Sequence, residues 1–302
     1  MSYLDYLRSL ATTRRDKINW NELQTIVDQH EIFDDATIEV WRDDPLFVER
    51  AILQHIVDAF QLAIHFEFIS GRSNSSQAFA VKSPDGSASC FFLDEVLDMS
   101  IMEVFLTVWA AVYNPEYTDL CKGKLSSLFK DRLIERTRYS CNAVDIIKDT
   151  HMSERAIVQA FDMYWSAWTF VAGHELFHIM NREPLTVREE EFKADRFGFQ
   201  VLIRFINDQK KSLLPKELDC FYQDYYLVPC MLMYIFRALD LIRKNDTRYG
   251  DEDVHPSPEE RMQAIIDLFD SDVPDDMDTE NGNAFLATFL DTFDLLSVSN
   301  DD

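Results

Sequence analysis

Glycine is scarce in this chain, with seven in 302 residues. An all-β sandwich or barrel needs a turn signal about every 8–12 residues, and seven glycines with nine prolines supply too few. Positive charge is also short: 29 Lys and Arg stand against 54 Asp and Glu, a net charge of −25 and a pI near 4.5. Such a field repels phosphate backbones and anionic lipid, so neither nucleic acid nor a membrane surface is expected as a partner. The five cysteines, Cys90, Cys121, Cys141, Cys220 and Cys230, are odd in number and form no CxxC pair. That excludes a zinc ribbon, argues against a disulfide framework and suits a reducing cytosol. Long apolar runs are missing too. The most apolar stretches, 102–113 and 229–238, fall short of the roughly 20 residues that cross a bilayer. The first residues carry no uninterrupted apolar stretch of the signal-peptide kind, so a cytoplasmic location is expected.

Apolar residues are plentiful, at 47%, enough for a large core in one or two domains without covalent staples. They recur mainly with helical spacing. Helices are expected near 20–29, 46–69, 101–113, 124–136, 154–181, 186–208, 229–244, 258–269 and 284–296. The β signal lies at 77–81 and 88–93, two apolar runs flanking Ser83-Pro84-Asp85-Gly86, and predicts a hairpin. The fold class expected is α+β and predominantly α-helical. Three regions follow from the composition: an N-terminal helical scaffold over 1–70, a core over 71–269, and over 270–302 an acidic linker with an amphipathic helix. That last helix is expected to dock on the body, with a partner protein as the alternative occupant of its apolar face.

The chemistry concentrates in three short motifs. His174-Glu175-Leu176-Phe177-His178 is an HExxH on the 154–181 helix. Residues i and i+4 lie about 40° apart around a helix and one turn along, so both imidazoles reach one ion. Glu175, rotated by about 100°, stands beside that ion, where it can act as general base. A hydrolytic zinc takes three protein ligands and keeps an open position. Glu191 on the following helix is the expected third ligand, because Asp195 lies one turn further on the same face. Asp195 would then accept an N–H from a ligating histidine and fix its tautomer. Glu189 and Glu190 compete with Glu191 but lack such a partner. Small Ala194 and Gly198 would let the two helices approach closely.

The third motif runs from His255 to Arg261. Ser257 as N-cap, Pro258 at the first helical position and Glu260 three residues after the cap form a capping box. This leaves His255 and Arg261 unexplained, and either could donate to the oxyanion formed when water attacks a carbonyl. His30, His55, His65 and His151 have no partner at ligand spacing, and the aromatic cluster at 221–226 is expected to be packing.

HExxH at 174–178, ExxAD at 191–195 and HPxxxxR at 255–261, in that order, resemble the gluzincin metallopeptidases. That group includes the HtpX heat-shock protease, the prenyl-protein endopeptidases and the soluble minigluzincins. The resemblance implies a zincin-like catalytic core, one zinc ion per chain, and a small hairpin or sheet packed beside the HExxH helix. It further implies a protein or peptide substrate bound in extended form along an edge strand between Ala88 and Leu93. Two features depart from it: the HtpX and prenyl-endopeptidase branches carry transmembrane helices, and the thirteen-position step from His178 to Glu191 is short for them. In size, organisation and motif content the chain is also similar to phage-exclusion peptidases of the Lit type, which cleave a translation elongation factor. A defence or toxin peptidase is therefore one alternative to general proteolysis. A zinc-stabilised binding or regulatory protein that cleaves nothing is another.

Overall fold

The computed structural model describes residues 5, 8–9, 39, 42–44, 46–72, 78–82, 89–114, 116, 118, 123–129, 143–211, 213, 223–244, 255–272 and 279–297. The helix expected at 20–29, the turn at 83–86, the end of the helix expected at 124–136 and residues 273–278 of the acidic stretch lie outside them.

Helix α1, Phe47–Ala59, is shorter than expected, and after an irregular stretch over 60–66 the end of the predicted helix is part of a strand, β1, Glu67–Gly71. Gln61 turns the chain with φ 51°. Beyond it the apolar spacing changes from helical to alternating: Phe68 faces Trp168 in the main core, and Ile69 joins a separate cluster with Cys90 and Phe92. The division expected between residues 70 and 71 therefore falls inside a strand.

Strands β2, Ala78–Lys82, and β3, Ser89–Asp94, complete a mixed sheet in the order β1-β3-β2. β3 runs parallel to β1, with Glu67 opposite Cys90, and antiparallel to β2, with Ala78 opposite Leu93. This corrects the expectation that the segment between Ala88 and Leu93 is an edge strand. β1 occupies the far side of β3, so the main-chain groups of β3 are spent on both sides, and among the described residues the unpaired edge next to the HExxH helix belongs to β2. Phe91 of β3 stacks on Trp168 of that helix at 5.4 Å.

Asp94 ends β3 and caps α2, Glu95–Tyr113, accepting from the Val96 N–H at 2.9 Å and the Leu97 N–H at 3.3 Å. The cap starts the helix six residues before the expected position. At 19 residues and mean hydropathy 1.6, α2 is long and apolar enough to cross a bilayer, but 83% of it is buried inside the fold. Two short helices follow, α3 at Lys124–Phe129 and α4 at Ala143–Thr150, the second not foreseen.

Helices α5, Glu154–Met180, and α6, Val187–Lys210, form an antiparallel pair. A 3-10 turn at Gln223–Leu227 leads into α7, Val228–Lys244, and then come α8, Pro258–Asp272, and α9, Thr279–Ser297. The last helix docks on the body as expected. Phe285 stacks on Trp109 at 4.5 Å, Phe289 packs on Phe105 at 5.7 Å, and Phe293 reaches Phe129. The architecture is thus α+β and mostly helical, with α5 at its centre between the sheet, α2 and α6.

Candidate metal centre

The centre depends first on how closely α5 and α6 approach. A Cβ on Gly173 would lie 2.9 Å from the Gly198 Cα, and one on Gly198 would lie 2.6 Å from the Phe170 carbonyl oxygen. Both contacts are closer than carbon chains allow, so the helices cross glycine against glycine, one residue before His174. Local signals set the ends. Ser153 caps α5, which stops at Met180 ahead of Pro184. Thr186 and Glu189 form a reciprocal capping box that starts α6.

Two rows of polar side chains, buried at His174, Glu191 and Asp195 and half-buried at His178 and Glu190, then face each other across the pair. The Nδ1 of His174 lies 2.9 Å from Asp195 Oδ1, and that of His178 lies 3.2 Å from Glu190 Oε1. A carboxylate accepts, so each Nδ1 carries the hydrogen and each Nε2 presents a lone pair. These Nε2 atoms face each other at 3.1 Å, and each lies 3.5 Å from an oxygen of Glu191. Two lone pairs and a carboxylate repel one another unless a cation sits among them. A tetrahedral ion with bonds of about 2.0–2.1 Å holds its ligand atoms about 3.3–3.4 Å apart, so the residues fit a small divalent metal. His174, His178 and Glu191 are the group among the described residues that can hold such an ion.

The three consecutive glutamates are thereby separated by task. Glu189 caps α6, Glu190 meets the outer nitrogen of His178, and Glu191 faces the two Nε2 atoms. Glu190 was foreseen only as a rival ligand. The helical offset that turns Glu191 toward His174 turns Glu190 toward the end of α5, a signal legible once the α5–α6 pairing is known.

Arg261, from α8, comes to the same place. Its Nε and one terminal nitrogen donate to both oxygens of Asp195, at 2.8 and 2.6 Å, and the other lies 3.5 Å from Glu191. Its donors are thus engaged by Asp195 and the ligand Glu191, although the side chain also lines the cleft. Burial opposes ionisation of Asp195, but the charge of Arg261 and the two hydrogen bonds prevail and hold its pKa below the ordinary value. Burial likewise disfavours a charged His174, and Asp195 reverses the balance and raises its pKa.

Glu175 is buried on the sheet side of the centre. Burial pushes its carboxyl upward, while positive charge on His174 and His178 and a hydrogen bond from the Ala80 N–H act in the opposite sense without prevailing. Since the Ala80 N–H points to Glu175, antiparallel alternation leaves the main-chain groups of Ala78, Ala80 and Lys82 on the free edge of β2. Lys82 closes this corner, its Nζ donating to the Asn181 carbonyl at 2.7 Å, where α5 ends. Together these parts line an open cleft of about 690 Å³, whose lining also includes apolar Leu97, Phe170, Val171, Met233 and Phe236.

His255 lies at the cleft mouth, its side chain 64% exposed and its Nε2 3.9 Å from Glu191. It stands apart from the three clustered ligands. His55 pairs with Asp208 at 3.4 Å and packs edge-on against Phe205, while His65 and His151 also lie away from the site. His30 lies outside the described residues. Tyr225 and Tyr226 are buried against α9 and α8 through Phe285 and Phe269. Cys90 and Cys230 are buried thiols pushed up to about 12, unsuited to act as nucleophiles.

No curated protein and no solved structure matches the chain. The profile of the Peptidase U49 family matches residues 126–280, just over half of the 302. That span takes in both helices of the His-His-Glu cluster and α8 with Arg261. A buried metal-binding group, a carboxylate at its side and a cleft along a free strand edge suit peptide hydrolysis, and by the extent of the match this chain belongs to the peptidase U49 family.

Proposed function

We propose that this peptidase is a zinc-dependent endopeptidase acting on a cytoplasmic protein substrate. The observation that carries the reading is the convergence of two Nε2 lone pairs and the Glu191 carboxylate, with Glu175 beside them on the cleft side. A His2Glu donor set favours zinc among the common divalent ions. Zinc held there would polarise the scissile carbonyl and acidify a neighbouring water. Glu175 takes the proton from the attacking water and returns it to the leaving amine nitrogen. Asp195 keeps His174 in the tautomer that offers Nε2, and Arg261 keeps Asp195 in place. His255, exposed at the mouth, is a candidate N–H donor to the developing oxyanion.

The substrate would add to β2 as an extended strand through the main-chain groups of Ala78 and Lys82 and the Ala80 carbonyl, the Ala80 N–H being held by Glu175. Such pairing makes little demand on side chains. The acidic surface favours a protein target over nucleic acid. The likeness to Lit-type peptidases makes a translation elongation factor the first substrate to assay.

The test pairs elemental analysis of purified wild type and Glu175→Gln with mass-spectrometric mapping of new protein termini in cells expressing each. One zinc per chain in both, with new termini only in the wild type, is the expected result. Glu175→Gln should lower turnover by about 10²–10⁴-fold, the usual contribution of a general base. Wild type without zinc would overturn the reading. Zinc in both and cleavage by neither would leave a zinc-stabilised binding protein.

A further inference from the structure

The two histidines of the centre are not equally secured. His174 lies deep in α5, its side chain 9% exposed and its Nδ1 against an aspartate that Arg261 grips with two bonds. His178 lies in the last turn of the same helix, and its side chain is 20% exposed. Helix ends fray, because their terminal carbonyls lack partners within the helix. Something else must hold this ring.

We infer that Glu190 is a positioning residue that aims the Nε2 of His178 at the metal. This rests on the reading of His174, His178 and Glu191 as ligands. The Glu190 carboxylate lies 3.2 Å from His178 Nδ1 and accepts from the Asn181 side-chain amide at 3.2 Å. Asn181 is the residue that ends α5, and its carbonyl is held in turn by Lys82 of β2 at 2.7 Å. One carboxylate thus joins the ligand ring to the helix end, and through Asn181 to the strand beside the cleft. A carboxylate on one imidazole nitrogen fixes the tautomer and raises the basicity of the other, and losing such a partner typically costs about 10–100-fold in metal affinity. Glu190 does for the exposed ligand what Asp195 does for the buried one.

Its neighbour supplies an internal control. Glu189 bonds to Thr186 at the start of α6 and touches neither histidine, so Glu189→Ala should lower thermal stability slightly and leave metal affinity alone. The experiment measures Zn2+ affinity by chelator competition for wild type, Glu190→Ala, Glu190→Gln and Glu189→Ala, with the visible spectrum of the Co2+-substituted proteins as a second readout. Thermal melting confirms that each is folded. The expected outcome is about 10–100-fold weaker zinc for Glu190→Ala with an altered cobalt spectrum. Glu190→Gln keeps an oxygen that can accept the Nδ1 hydrogen and should recover much of the loss, while Glu189→Ala should match wild type. Wild-type affinity in Glu190→Ala would overturn the inference, as would an equal loss in Glu189→Ala, which would trace the effect to a loosened α6. Wild type that takes up no zinc would instead overturn the underlying ligand reading, and neither outcome depends on cleavage of a substrate.

Discussion

Asp162 and Asp195 are both buried aspartates of the α5–α6 pair, with 4% and 1% exposure, and their acidities move in opposite directions. Asp162 lies in the apolar half of α5, among Met163, Tyr164 and Trp165, and its Oδ2 has no hydrogen-bond partner among the described residues. Burial alone pushes it up to about 8. Asp195 faces the polar half, where Arg261 and His174 outweigh the same burial and hold its pKa below the ordinary value. Depth is similar; the company differs. Around Asp162 burial is not offset by an opposite charge, whereas the half of α5 that starts at Gly173 is built to keep charge in the interior. That second half is where a cation can be held.

Taking away the company should have the largest effect. Asp195→Ala leaves the Arg261 guanidinium, 17% exposed, without its main counter-charge and His174 without its acceptor. Removing one member of a buried pair costs about 3–5 kcal/mol, so denaturant unfolding should show a loss of that order, together with weakened zinc uptake. A loss below about 1 kcal/mol would mean that Glu191, 3.5 Å from Arg261, can replace Asp195 and that the contrast with Asp162 is weaker than the geometry implies.

Asp162 provides the opposite test. Its folded pKa is raised, so its share of stability is fully present below the unfolded value near 3.8 and is lost as pH rises toward about 8. Asp162→Asn, neutral at every pH, should be less stable than wild type near pH 4 by the about 1–3 kcal/mol that its unmatched amide hydrogens cost, and more stable by about 2–4 kcal/mol at pH 8. Unfolding curves at the two pH values decide it. A variant no more stable than wild type at pH 8 would show that Asp162 is ionised and solvated in place.

The polar half was far more legible in the sequence than the sheet. HExxH, ExxAD and the capping box at Ser257 are local patterns, each set by a few neighbouring residues, and they located α8 and the metal-binding group on α5 and α6, whereas the equally local box at Thr186 was not read. β1 was hidden because 46–69 carries apolar residues at enough positions to satisfy a helical period, and only pairing with β3, more than twenty residues away, selects the strand. The same pairing puts β3 in the middle of the sheet and β2 at its edge. Arg261 was foreseen near the centre, but its attachment to Asp195 depends on how α8 lies across α6, and no spacing within the motif encodes that. Asp162 gave no warning either. An aspartate in a long helix is normally read as solvent-facing, and its burial follows from α5 being enclosed on several sides.

The smallest effect is expected where a local signal works alone. Thr186 is exposed, and its side chain accepts from the Glu189 N–H at 3.2 Å to start α6. Thr186→Ala removes that cap and should cost about 1 kcal/mol. Zinc affinity should nevertheless stay at the wild-type level. The angular position of Glu191 and Asp195 is fixed by the contact between Gly173 and Gly198 and by the grip of Arg261, two and more turns into the pair, rather than by the first turn of α6. A cap variant that lost zinc would show instead that the start of α6 sets its rotation, and the close glycine crossing would then be a consequence of helix phase and not its cause.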